Sequence, residues 1–197
     1  MVDISAYYDF LIDENNDPVY DDKPLKNYMD KWDGQDFIDK LELEGTKSVL
    51  EIGVGTGRMA LRIAPLCRKF SGIDISPKTI ERARQNLVNC NNINLICGDF
   101  LSYNFINKFD VIYSTLTFMH IEKKQEPINK VSTLLNCGGR FVLSIDNNSS
   151  DFLDYGELRI NLYPDDIEKT TNYIIFSGLK IKEIFSTDFA TVFVAEK

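Results

Sequence analysis

The sequence predicts an α/β protein with a doubly wound, mostly parallel, seven-stranded sheet whose last strand runs antiparallel. Three observations carry this. Short apolar runs alternate with stretches of helical spacing from residue 47 to residue 177, a pattern that implies right-handed crossovers and helices on both faces of a parallel sheet. The final two apolar runs, 179–186 and 191–195, are joined only by a short turn around Thr187 and Asp188. A parallel crossover needs about a dozen residues or more, so the last strand must be antiparallel. The third observation is the stretch VLEIGVGTGRMALRIA, residues 49–64, an apolar run that breaks into alternating glycines and resumes with helical spacing.

Residues 1–45 are acidic and aromatic, with turn formers from Asn15 to Pro18. They read as a helical cap over the main body, residues 46–197, with a short amphipathic helix suggested by Phe37, Ile38 and Leu41. Residues 47–52 form the first buried strand. Residues 58–66 are helical and run into Pro65, and residues 69–73 form the second strand. Ser76 and Pro77 open a long helix to about residue 89, serine as N-cap and proline in the first turn. Residues 94–97 and 109–114 are the third and fourth strands. A helix over 122–135 is expected to stop at Cys137-Gly138-Gly139, before a fifth strand over 140–145. A helix over 165–177, ended by Gly178, precedes the closing pair of strands.

Composition narrows the function. The formal net charge is -8 and the pI about 4.7, so a nucleic-acid partner is not expected, because phosphate neutralisation needs a basic face. The first residues lack a basic and an apolar signal region, and no apolar run approaches the length of a membrane span. Four scattered cysteines and a single histidine argue against a disulfide framework or a metal site and for a reduced, cytoplasmic protein.

The glycines fit neither common phosphate loop. A dinucleotide fingerprint is G-x-G-x-x-G/A, whereas here Gly53, Gly55 and Gly57 alternate and Arg58 takes the third position. No Lys-Ser or Lys-Thr follows, which excludes a P-loop. Glu51, at the end of the first strand, would repel a pyrophosphate and suits an ammonium group. Asp74 ends the second strand in FSGIDIS, where an acid accepts hydrogen bonds from ribose hydroxyls. A ribose and an amino-acid ammonium without phosphate describe S-adenosylmethionine (AdoMet).

With VLEIGVGTG, FSGIDIS, CGDF, KFDVIYSTLTFMHI and NCGGRFVLSI in this order, the sequence resembles the class I AdoMet-dependent methyltransferases over residues 45–197. The resemblance implies a Rossmann-like methyltransferase fold, the cofactor AdoMet with S-adenosylhomocysteine as product, and the following roles. Glu51 and the backbone of Gly53, Gly55 and Gly57 would hold the methionine moiety. Asp74 would bind the ribose, Ile75 would pack on the adenine, and Asp99 would accept from its amino group beside Phe100. Ser114 to Thr117 would run past the methyl group. The cap would then lie over the cofactor site.

Methyl transfer needs alignment and exclusion of water more than acid–base machinery. His120, just beyond the fourth strand, is the expected general base or substrate-positioning group. The fourth-strand motif has neither the Asp/Asn-Pro-Pro-aromatic signature of amino-methylating DNA enzymes nor a nucleophilic cysteine, which favours a small-molecule acceptor. Tyr28 is expected to cover the sulfonium, and Trp32, Thr117, Tyr155, Arg159 and Tyr163 to contact the acceptor, the last three from the long insert over 146–163. No metal is expected, and the chain is read as a monomer or homodimer. The alternative is a module that binds AdoMet or S-adenosylhomocysteine without turnover.

Overall fold

A computed structural model of the chain describes residues 3–156 and 158–197. Three N-terminal helices, α1 (Ile4–Asp13), α2 (Lys23–Asp33) and α3 (Gln35–Lys40), precede the alternating body. The body runs β1 (Ser48–Ile52), α4 (Arg58–Ile63), β2 (Lys69–Asp74), α5 (Pro77–Asn86), β3 (Ile93–Cys97), β4 (Phe109–Ser114), α6 (Gln125–Leu134) and β5 (Leu135–Asp146). A small hairpin follows, β6 (Phe152–Tyr155) and β7 (Leu158–Asn161). The chain closes with α7 (Ile167–Phe176), β8 (Lys180–Ser186) and β9 (Ala190–Glu196).

The main sheet has seven strands in the order β3-β2-β1-β4-β5-β9-β8. Strands β1 to β5 pair in parallel, and β9 is antiparallel to both β5 and β8. Strand order reverses at β1, between β2 and β4, and in such sheets the crevice beyond the carboxyl ends there is the natural ligand site. The central strands are apolar because both faces are covered. One layer of core includes Val49, Met59, Phe70, Ile80 and Val111, and the other Leu50, Ile73, Ile112, Ile128 and Phe141.

Several boundaries differ from expectation, each for a local reason. The helix after the glycine loop stops at Ile63, and Pro65 lies in a tight 3-10 turn over Ala64–Leu66. The helix expected to open at Glu122 starts at Gln125, after a separate 3-10 turn at Phe118–His120. Strand β5 begins at Leu135, before the glycine pair that was expected to separate helix from strand. Pairing with β4 jumps from Phe109↔Leu135 to Val111↔Arg140. Gly138 takes φ +73° in this bulge, and Asp110 fastens it by accepting from Asn136 Nδ2 at 2.7 Å and from Ser48 N at 2.8 Å.

The N-terminal segment is fastened along α5 by a ladder of polar contacts. Asp9 accepts from Ser76 Oγ at 2.6 Å and from Lys78 N at 3.0 Å. Asp13 pairs with Lys78 Nζ, and the buried Asp17 pairs with Arg82 at 3.2 Å and accepts from Asn86 Nδ2 at 3.0 Å. Ser76 caps α5 by accepting from Thr79 N, with Pro77 in the first turn as expected. No helix among the described residues is long and apolar enough to cross a membrane.

Candidate active site

The turn after β1 is built by backbone that only glycine adopts freely. Gly53, Gly55 and Gly57 have φ of +78°, +55° and +96°. Gly53 is required twice over, because a Cβ there would sit 1.9 Å from Thr117 Oγ1. Its amide and that of Val54 donate to Ile73 O at 2.9 and 3.1 Å, tying the loop to β2.

A cavity of about 590 Å³ opens beyond the carboxyl ends of β1, β2 and β4. Glu51 and Asp74 both line it. Glu51 is 2% exposed, and its Oε2 has no hydrogen-bond partner among the described residues. Burial pushes its carboxyl well above the usual range, the neighbouring Tyr113 hydroxyl and the Arg58 guanidinium oppose the push, and Asp33 and Asp74 add to it. Asp74 Oδ2 accepts from Gly55 N at 3.0 Å and Oδ1 from Ser76 N at 3.0 Å, so the loop and α5 fix the carboxylate from both sides. Burial raises its pKa, and those amide bonds oppose the rise.

Arg58, where a dinucleotide loop has its last glycine, lines the cavity and is ion-paired with the fully buried Asp33 of α2. Asp33 Oδ1 has no partner. This guanidinium is therefore already neutralised. Asp99 lines the wall, but its two oxygens accept from Leu101 N at 3.2 Å and Ser102 N at 3.0 Å, the bonds of a turn aspartate. Ile75 and Phe100 also line the wall, Ile75 exposed and Phe100 buried.

Other expected residues lie elsewhere. Gly57 is outside the cavity and packs towards Leu87, 2.8 Å from where its Cβ would stand. Ser114 is fully buried behind the wall, its Oγ donating to Ile52 O at 2.8 Å. Thr117 does reach the cavity, with Thr115 and with Leu116, which takes the left-handed φ of +50°. Tyr28 and Trp32 are not brought to it. They stack with Phe189 at 5.4 and 4.7 Å, and Trp32 Nε1 donates to Asp146 Oδ1 at 3.2 Å. The turn of α2 instead points Met29 inward. Tyr155 and Arg159 are also outside. Tyr155 packs on Phe10, and Arg159 forks onto Asp154 at 2.6 and 2.8 Å while stacking over Phe152.

His120 does line the cavity, with Nε2 2.8 Å from the Tyr8 hydroxyl of α1. Its Nδ1 is enclosed without a partner. Burial, helped by the nearby Lys124 ammonium, lowers its pKa to about 4, so the ring is neutral near pH 7 and a weak base. Lys124 is itself buried. It donates to Phe118 O at 2.8 Å and to Tyr163 O at 2.7 Å, and pairs with Asp165 at 2.8 Å.

Tyr163, the third candidate from the insert, does line the cavity, whereas sequence reasoning missed Tyr8, Met29 and Arg58. A signal for the first was present, since Ile4, Tyr8, Leu11 and Ile12 follow the i, i+4, i+7, i+8 spacing of one helix face, and all four line the cavity. No group of three or more metal-ligating side chains occurs among the described residues.

Residues 49–139 match the family model of a methyltransferase domain. The chain is 35% identical over 133 residues to malonyl-[acyl-carrier protein] O-methyltransferase 1 of Ilyobacter polytropus, covering 64% of this chain and 48% of that protein. It is 35% identical over 123 residues to an uncharacterized methyltransferase of Anoxybacillus flavithermus, covering 60% and 57%. The chain thus spans about half the length of these curated relatives. Among solved structures, N-methyltransferase NodS of Bradyrhizobium japonicum, in complex with S-adenosyl-L-homocysteine, superposes with a TM-score of 0.71 at 18% identity over 96% of this chain and 97% of that one. An AdoMet-dependent methyltransferase of Mesorhizobium loti gives 0.72 at 17% identity over 84% and 97%. These two likenesses concern the fold. The matched residues span the glycine loop and the central strands, so this part of the chain is similar to a methyltransferase domain.

Proposed function

We propose that this chain is an AdoMet-dependent methyltransferase acting on a small-molecule acceptor. One observation carries the reading: the cavity presents two carboxylates, Glu51 and Asp74, across an amide-lined glycine loop, while its deep guanidinium, Arg58, is committed to Asp33. A pyrophosphate brought here would meet two acids and no free deep cation. A zwitterionic amino acid joined to a ribose finds complementary groups.

The residues fit that cofactor. Glu51 Oε2, buried and without a partner, suits the ammonium. Each Asp74 oxygen holds one amide and retains a lone pair for a ribose hydroxyl. Ile75 offers an apolar surface to the purine. When bound, AdoMet supplies a sulfonium methyl group open to in-line displacement. The chain's own part is to align the acceptor and exclude water. Thr115 to Thr117 form the wall beyond β4, and α1 contributes Tyr8, Leu11 and Ile12 as an apolar cover. On this reading, residues 1–45 are a cap over the cofactor. The cavity volume of about 590 Å³ is in the range of small-molecule sites, about 300–1,000 Å³, which supports a small acceptor. The named relatives include an O-methyltransferase and an N-methyltransferase, so likeness alone does not choose the atom methylated.

Isothermal titration tests the cofactor: AdoMet and S-adenosylhomocysteine are expected to bind, and NAD is not. Transfer of radiolabelled methyl groups from AdoMet to a metabolite pool tests the activity. Binding of NAD in place of AdoMet overturns the reading, and AdoMet binding without transfer to any metabolite favours a binding module.

A further inference from the structure

Tyr8 and His120 lie 112 residues apart in the chain, yet their side chains meet inside the cavity with a 2.8 Å contact. The direction of that hydrogen bond follows from the other ring nitrogen. Nδ1 is enclosed and has no partner among the described residues. A neutral imidazole carries one N–H and one bare nitrogen, and an orphaned buried N–H is rarer in proteins than an under-satisfied acceptor. The bare nitrogen is therefore Nδ1. The hydrogen is on Nε2, and Nε2–H donates to Tyr8 Oη. Having accepted there, Tyr8 must send its own hydrogen elsewhere. It makes no other side-chain hydrogen bond among the described residues, and it lines the cavity. Its O–H is a donor available to a bound oxygen.

Among the described residues the cavity offers no strong base beside this donor. His120 has its accessible nitrogen occupied by its own hydrogen and is a weak base in any case. Glu51 and Asp74 belong to the cofactor end, Asp99 accepts from the amides of its own turn, and Glu122 and Glu126 stand exposed at the rim. Lys123 is also at the rim, 4.0 Å from Glu126 and not committed to a buried acid. An acceptor that must lose a proton to react is poorly served here. One that arrives already deprotonated is well served.

Resting on the methyltransferase reading above, we propose that the acceptor is a carboxylic acid bound as its carboxylate, with Tyr8 O–H holding one oxygen and His120 Nε2–H holding Tyr8 in that orientation. A lone pair of the carboxylate forms the new O–CH₃ bond as the S–CH₃ bond of AdoMet breaks and its electron pair stays on sulfur. The products are a methyl ester and S-adenosylhomocysteine, and no proton is transferred to the protein. Tyr8 touches the acceptor, and His120 is a positioning residue that acts through it.

The chain has one histidine, so its imidazole nitrogens can be read without ambiguity by ¹H–¹⁵N NMR of the full chain with S-adenosylhomocysteine. The expected spectrum shows hydrogen on Nε2 and a bare Nδ1, with the Nε2 resonance shifting in Tyr8→Phe. Hydrogen on Nδ1 overturns the proposal. Activity is read with radiolabelled AdoMet and a panel of aliphatic and aromatic carboxylates matched to amines and phenols. Labelled methyl released as volatile methanol by alkali is the expected mark of an ester. Alkali-stable label, or no carboxylate methylated while AdoMet binds, overturns the proposal and leaves the cofactor reading intact. Failure of AdoMet itself to bind overturns that reading instead. Tyr8→Phe is expected to raise the acceptor KM about tenfold or more, with a smaller effect on kcat, as for loss of a hydrogen bond to a charged group. His120→Gln, whose amide N–H can still donate to Tyr8, should keep most of the activity that His120→Leu loses. Equal losses in the two overturn the positioning role.

Discussion

Replacing Glu51 by glutamine keeps the side-chain volume and removes the carboxyl that can ionise against a cationic ligand. The carboxyl is 2% exposed and its Oε2 is unpartnered, so solvent does not compensate for the loss. A hydrogen bond to a charged group contributes about 1.5–3 kcal/mol, and AdoMet should therefore bind about 10- to 150-fold more weakly to Glu51→Gln. Protonation gives a second readout. Burial raises the Glu51 pKa in the ligand-free protein, and an ammonium beside it favours the ionised form. Wild-type binding should release a proton, with affinity rising as pH rises through the raised pKa. Titration calorimetry in buffers of different ionisation enthalpy measures both effects. Stability moves the opposite way. A folded pKa above the unfolded one gives stability that is present at low pH and is lost as pH rises through the folded value. Glu51→Gln should flatten that decline and melt higher than wild type at pH 8 without ligand. If the variant binds AdoMet within threefold of wild type, with the same proton release, the assignment of Glu51 to the ammonium is wrong.

Three further outcomes are expected. Gly53→Ala meets both a positive φ and Thr117 Oγ1 at 1.9 Å; strain of this kind costs about 1–3 kcal/mol, and urea unfolding should show at least that loss together with weaker AdoMet binding. Lys124→Met leaves Asp165 buried without its cation, which should cost about 3–5 kcal/mol, while the double variant Lys124→Met, Asp165→Leu should recover most of it in the same unfolding assay. The His120 pKa, lowered from 6.5 to about 4, means that the folded state binds this proton less tightly than the unfolded state. Stability should therefore fall as pH drops from 6.5 through 4, by up to about 3 kcal/mol. Denaturation across that window should show a shallower decline in His120→Gln, and an imidazole that titrates near its ordinary value would contradict the burial argument.

The sheet and the cofactor end were legible because their signals are local. An apolar run, a glycine turn and an acid at a strand end lie within a few residues of one another, so β1, Glu51, Gly53 and Asp74 could be read directly. The acceptor end was not, because it is assembled from α1, α2, the turn after β4 and the segment at Tyr163. Tyr28 and Trp32 illustrate the difficulty. Their aromatic character suggested a ligand, but Phe189, far away in sequence, satisfies both. Cys137-Gly138-Gly139 reads as a break between helix and strand, yet it is a bulge inside β5, fastened by Asp110 from the neighbouring strand. Asp99 sits in a cavity wall and also holds its own turn.

The ladder that joins Asp9, Asp13 and Asp17 to Ser76, Lys78, Arg82 and Asn86 crosses from α1 to the helix that begins just after Asp74. One rung, Asp13–Lys78, is a solvent-exposed ion pair, which dissolved ions screen over distances of about 10 Å at 0.1 M. Release of a trapped nucleoside should thus quicken as ionic strength rises, while the apolar contacts beneath stay intact. Residence time would then be adjustable from the outside of the molecule, by residues that touch neither cofactor nor acceptor.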